Sequence, residues 1–135
     1  PGVWLADNQL LVRHGYTVVD EAPPAFQLMA KVFDESVPLP SFPTNWEQRA
    51  AAFGPGLTVV TTDQCPYLDD AEQLIVTSAE QMGISARIFK LESATEVQRR
   101  SPSPFGVFGV VLDGELLAYH YLLEKDLTQL IEGRR

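Results

Sequence analysis

The chain has one cysteine, Cys65, and two histidines, His14 and His120. A lone thiol cannot close an internal disulfide, so the natural setting of such a chain is a reducing cytoplasm. The cysteine and histidines do not gather at metal-ligand spacing, and no metal site is expected. Cations are scarce as well: 10 Lys and Arg stand against 18 Asp and Glu, a net charge of -8. That balance argues against nucleic acid and anionic membrane surfaces as partners, because both call for a basic face. Long apolar runs are missing, with nothing near the roughly 20 residues of a membrane span. The first residues also lack the basic start and apolar core of a signal peptide.

What is present suits one good core or two small subdomains in 135 residues, with an apolar share of 45%. Trp4, Leu5, Leu10 and Leu11 suggest a short amphipathic helix, ended by Arg13, His14 and a left-handed cap at Gly15. Tyr16–Val19 reads as a strand, broken by the Asp20–Pro24 run. Phe26–Phe33 alternates well enough for a second, antiparallel strand, although its Leu, Met, Ala and Lys also suit a helix. Residues 34–43 carry three prolines and read as a linker or packed loop. Thr44-Asn45-Trp46-Glu47 is a capping-box pattern for a short helix through Ala52.

The centre of the chain is Leu57–Thr62, a β-branched strand leading into Asp63-Gln64-Cys65-Pro66-Tyr67. Pro66 opens a helix well, and Leu68, Ala71, Leu74, Ile75, Ser78 and Met82 recur at helical spacing up to Gly83. Ile84–Leu91 follows as a strand. Ser93-Ala94-Thr95-Glu96 opens another short helix, stopped by the prolines at 102 and 104. Phe105–Leu112 and Leu116–Tyr121 form a hairpin about Asp113-Gly114, the strongest short turn signal in the chain. Leu123, Leu127, Leu130 and Ile131 mark a closing helix.

From Leu57 onward the order is β-α-β-α-β-β-α, which resembles the thioredoxin-like domains. Cys65-Pro66-Tyr67-Leu68 resembles the Cys-Pro-Tyr-Cys of glutaredoxins, with Leu68 where the second cysteine would stand. The resemblance implies a cis-proline before the third strand of that order, at Pro104 or else Pro102. The earlier part, from Trp4 through His14-Gly15-Tyr16 to Phe33, resembles the closing helix and two strands of GNAT-family N-acetyltransferases. The two together resemble GNAT proteins that carry a YoaP-like carboxy-terminal domain. The fold class expected is therefore α/β: residues 1–33 a GNAT-like helix and two-stranded remnant, 34–56 a proline-rich linker with a short helix, and 57–135 a thioredoxin-like domain. If that resemblance holds, this chain is a fragment or truncated relative that lacks the upstream strands of the acetyltransferase. GNAT enzymes hold acetyl-CoA on the amides of an Arg/Gln-x-x-Gly-x-Gly/Ala loop. No such run occurs here, and Leu11 stands where the family often has a tyrosine acid, so no cofactor is expected in this chain and acetyl-CoA would need the absent domain.

Cys65 is the candidate catalytic residue, as a monothiol nucleophile working with an external thiol such as glutathione. Its other reading is a small buried hydrophobe. The following helix dipole favours a thiolate by about 0.3–1 kcal/mol, whereas Asp63, Asp69 and Asp70 oppose it, and no Lys or Arg is close in sequence. A dithiol cycle is ruled out, because nothing in the chain can resolve a mixed disulfide. Asp63, Tyr67, Pro104 and Phe105 are the candidate ligand groove beside the cysteine. His120, between Tyr119 and Tyr121, reads as a strand residue, and the carboxylates at 69–70 and 124–126 as solvated helix faces. Three functions follow: a non-catalytic ligand-binding module of an acetyltransferase-type protein, a monothiol oxidoreductase, or a structural dimerisation piece. A homodimer through residues 1–33 is expected, since Tyr16, Val18, Phe26, Leu28 and Val32 would otherwise stay wet.

Overall fold

The computed structural model describes residues 8–65 and 67–134. Trp4, Leu5 and the helix-opening role of Pro66 lie outside the described residues. The elements run in the order α1 (Gln9–Arg13), β1 (Thr17–Ala22), β2 (Phe26–Ala30), α2 (Trp46–Ala51), β3 (Leu57–Thr61), α3 (Leu68–Gln81), β4 (Ala86–Lys90), α4 (Ala94–Arg100), β5 (Phe108–Leu112), β6 (Glu115–Ala118) and α5 (Glu124–Glu132). The architecture is α/β. It falls into two compact units divided between Thr44 and Asn45.

In the first unit, α1 ends at Arg13 with His14 as its C-terminal cap residue, and Gly15 takes φ +82°, the left-handed conformation its position suggests. β1 and β2 pair antiparallel as a two-stranded sheet. β1 does not stop at Val19: the Asp20–Ala22 segment continues it to the turn, and its side of the ladder is interrupted by a bulge between Val18 and Asp20. The bulge matters for the apolar face. Val18 pairs with Met29 while Asp20 pairs with Leu28, and directly paired residues share a face. Val18 and Leu28 therefore lie on opposite faces, not in the single row that strict alternation suggests. The proline-rich segment is a packed loop at Phe42, whose N–H donates to Asp20 Oδ2 at 2.7 Å. The cis peptide bond of the described residues joins Pro23 and Pro24 in the β1–β2 turn.

The second unit is built on a four-stranded sheet in the order β4-β3-β5-β6. β3 and β4 are parallel, while β3–β5 and β5–β6 are antiparallel. β3 is central and buried along its whole length, which suits its β-branched Leu57–Thr61 composition. Its alternation feeds two cores. Leu57 and Val59 pack with Ile75, Val110, Leu127 and Ile131 under α3 and α5. Val60 packs with Ala50, Phe53, Leu91 and Val111 on the other face, with Val97 of α4 and Leu116 against it. The sheet is thus the middle layer of three.

Local signals are realised unevenly. Asp113 at φ +50° and Gly114 at φ +80° form the hairpin turn, as the Asp-Gly pair dictates. β6 ends at Ala118, though, so Tyr119, His120 and Tyr121 are not strand residues. Ser93 caps α4, its hydroxyl accepting from Glu96 N–H at 3.2 Å. Glu96 turns back to Glu92 N–H at 2.8 Å. The Thr44–Glu47 box does not form. Asn45 is the cap residue of α2 without a capping bond, and its Oδ1 accepts from Arg49 Nε at 3.0 Å instead.

Candidate functional site

β3 and β5 run antiparallel with Thr61 opposite Phe108. The loop leaving β3 and the segment entering β5 therefore emerge side by side at one end of the sheet. Thr62 ties them together: its N–H donates to Val107 C=O at 3.1 Å and its hydroxyl to the same oxygen at 3.4 Å. This is how the chain brings the 63–65 and 103–107 stretches into one neighbourhood although some 40 residues separate them.

Cys65 sits in the loop, half-buried, with its side chain against the α3/α5 core. Its carbonyl accepts from Leu68 N–H at 3.2 Å. The helix itself begins at Leu68 with Tyr67 as its cap residue, so Cys65 precedes the first turn instead of lying in it. The amide dipoles that could favour a thiolate act within that first turn and reach it less directly. Tyr67 is 82% exposed, Phe105 is 42% exposed, and Pro104 is half-buried. Phe105 lies 6.4 Å from the Tyr119 ring, tilted by 60°, and Tyr119 meets His120 edge-on at 5.2 Å. His120 Nδ1 lies 2.8 Å from Tyr121 C=O, which anchors the imidazole after the strand has ended. The expected cis bond before Pro104 or Pro102 is not found. Both bonds are trans, and Ser101 Oγ shapes this corner instead, donating to Ser103 C=O at 2.7 Å and accepting from Ser103 N–H at 3.4 Å.

Two buried hydroxyls at this end of the sheet, Thr61 Oγ1 and Ser103 Oγ, have no hydrogen-bond partner among the described residues. An unsatisfied buried hydroxyl is costly and stands out in a folded protein.

One charged residue was not visible from local sequence. Thr61 lies beside Lys90 in the parallel β3/β4 ladder, and the Lys90 ammonium forms an ion pair with Asp63. The hydrogen bond that Lys90 donates to the Asp63 carboxylate holds the ammonium above its ordinary value of 10.5, against an opposing desolvation and with the weaker fields of Asp63, Asp69 and Glu72 adding to it. A cation is thus close to the cysteine loop in space though 25 residues from Cys65 in sequence. It is already matched to a carboxylate, so the acidic character of the loop is reduced but not reversed. The signal that could have found it is the βαβ register: the last residues of two adjacent parallel strands end at the same level. The described residues hold no group of three or more His, Cys, Asp or Glu side chains able to bind a metal.

The class that these observations define is an α/β protein with a mixed sheet and a single thiol at a strand-to-helix loop. By sequence the chain is similar to a Bacillus subtilis (strain 168) protein described as "Uncharacterized N-acetyltransferase YoaP", with 28% identity over 132 residues. The match takes in 95% of this chain and 50% of that protein. The chain thus spans about half the length of the curated relative it matches. No protein-family model and no solved structure matches the chain.

Proposed function

We propose that the second unit is a thioredoxin-like module of an acetyltransferase-type protein, binding a ligand at the Cys65 loop without thiol-disulfide catalysis. The observation that carries this reading is the setting of Cys65: a lone, half-buried thiol packed on the core, beside an Asp63–Lys90 pair that leaves the lysine engaged. A monothiol nucleophile is helped by a cation free to stabilise its thiolate, and the Lys90 ammonium beside this loop is already paired with Asp63.

The thioredoxin-like assignment is supported by the β4-β3-β5-β6 order, one parallel and two antiparallel pairings, and the cysteine at the β3–α3 loop. The trans bond before Pro104 departs from that family's pattern. In this reading the ligand would meet Asp63, Tyr67, Pro104 and Phe105 about Cys65, and the Thr61 and Ser103 hydroxyls, which have no partner among the described residues, support a polar ligand. The acetyltransferase context is supported by the similarity to YoaP over nearly the whole chain. Acetyl transfer would need residues beyond this chain, because its sequence has no glycine-rich amide cradle for acetyl-CoA.

The test is a glutathione-coupled disulfide reduction assay on the wild type and Cys65→Ser. The expected result is background turnover for both. Glutathione-dependent reduction that disappears in Cys65→Ser would overturn the reading in favour of a monothiol oxidoreductase.

A further inference from the structure

On the opposite face of the sheet from α3 and α5, the chain assembles a feature that its acidic composition does not lead one to expect. A cleft of about 190 Å³ is lined by Asn45, Gln48 and Arg49 of the α2 region and by Arg99 and Arg100 at the end of α4, with Phe53 beneath. No carboxylate lines it. Three of the chain's 10 cationic side chains converge here. Arginines in the last turn of a helix are ordinarily explained by the helix dipole. That accounts for Arg49 on α2 and for Arg99 and Arg100 on α4 separately. It does not account for their facing one another across a cleft, where like charges repel.

Two of the three guanidiniums are also held in place. Arg49 stacks on Trp46 at 4.8 Å, donates from Nε to Asn45 and from Nη1 to Ser101 C=O at 3.4 Å. Arg100 lies over the Phe89 ring at 4.2 Å and is braced by Glu96 at 3.5 Å. Arg99 pairs with no carboxylate among the described residues. Beneath them, the Arg87 guanidinium fixes Phe53 C=O and takes Thr58 Oγ1 at 3.1 Å. Each guanidinium has five N–H donors, so Arg49 and Arg100 keep unused donors after these contacts. Burial pushes the Arg49 guanidinium below its ordinary value, the direction expected for a cation without its anion. A half-buried Arg49 beside the exposed Arg99 and Arg100 suits a phosphate group, which guanidiniums bind through paired hydrogen bonds. The cleft is smaller than the roughly 300–1,000 Å³ of a drug-sized site, so it suits a single anionic group and not a whole cofactor.

We propose that this cleft binds the phosphate group of a small soluble ligand through Arg49, Arg99 and Arg100. Trp46, stacked on Arg49, supplies the readout. In full-length chain carrying Trp4→Phe, pyrophosphate should change Trp46 fluorescence saturably, whereas sodium chloride and acetate at matched ionic strength should not. Arg99→Gln with Arg100→Gln should weaken pyrophosphate binding by about tenfold or more. Arg13→Gln with Arg134→Gln removes the same charge elsewhere and should leave binding unchanged. If the double variant at 99 and 100 loses its cooperative melt, Arg99→Gln alone carries the test. A fluorescence change that does not saturate, an equal response to acetate, or equal losses in the two double variants would overturn the proposal.

Discussion

The Lys90–Asp63 pair shows how a residue's role can depend on a neighbour supplied by a different strand. Both side chains are well exposed, 46% and 77%, so the pair is screened by water and its effect on stability is small. Its pH dependence still has a definite sign. Lys90 is held above its ordinary value in the folded state. The pair's contribution is therefore complete below 10.5 and is lost as pH rises through the raised value. The melting temperatures of wild type and Lys90→Gln should differ by a constant, small amount through neutral pH and converge in strongly alkaline buffer. A difference that grows with pH would contradict the assignment. At Cys65 the relevant residue-scale fact is packing: its side chain touches the core that Leu68 and Leu127 belong to, so the position has a structural use whether or not the thiol reacts.

The elements depend on a few points of contact whose loss can be measured. Asp113 Oδ1 accepts from Gly56 N–H at 2.8 Å, and Asp113 N–H donates to Gly56 C=O at 3.0 Å. The β5–β6 turn is thereby clipped to the start of β3. Gly56 has no alternative there: its φ is +82°, and an added Cβ would stand 2.7 Å from Ser85 C=O. Gly56→Ala should cost about 2 kcal/mol or more in urea unfolding, adding a backbone clash to the left-handed penalty of ~1–2 kcal/mol. Ser93→Ala removes the cap of α4 and should cost ~0.5–2 kcal/mol, read by the same titration. Ser93→Asn should recover most of that loss, because asparagine accepts the same Glu96 N–H. Since α4 carries Arg99 and Arg100 into the arginine cleft, fraying it should also weaken the anion response there.

For the whole molecule the first unit is the open question of energetics. Among its described residues Ala22 is the one buried hydrophobic side chain, while Leu10, Val12, Val18, Val32, Val37 and Leu39 are exposed and Phe33 is 87% exposed. Gathered into one patch, such side chains would suit association in water, and a two-stranded sheet contributes little stability alone. Light scattering behind a sizing column should give a dimer mass at tens of micromolar chain. A monomer mass would mean that these side chains are tolerated in water. Calorimetry with acetyl-CoA on the Arg99→Gln, Arg100→Gln variant, in which the arginine cleft no longer contributes, should show no saturable heat at micromolar concentration, since the sequence has no glycine-rich amide cradle for the cofactor. Saturable binding would place that cofactor's site within these 135 residues and remove the need for a longer protein. Among the described residues no helix is long and apolar enough to cross a membrane.

Much of the architecture was written locally. The β-branched Leu57–Thr61 run, the Asp113-Gly114 turn, the Ser93 cap and the helical spacing of α3 each express a short-range preference, and each appears within a few residues of where that preference puts it. The single thiol and the acidic balance are likewise properties of the composition. Three things were decided only by the fold. The bulge beside Val18 divided an apolar row between two faces, because register depends on the partner strand and not on one strand's alternation. Lys90 came to the cysteine loop because parallel strands end at a common level. Arg49, Arg99 and Arg100 met because α2 and α4 cover the same face of one sheet. A chain's near neighbours choose its elements, whereas its charges and faces find their partners only when those elements are packed, since the interactions that place them act through space and not along the sequence.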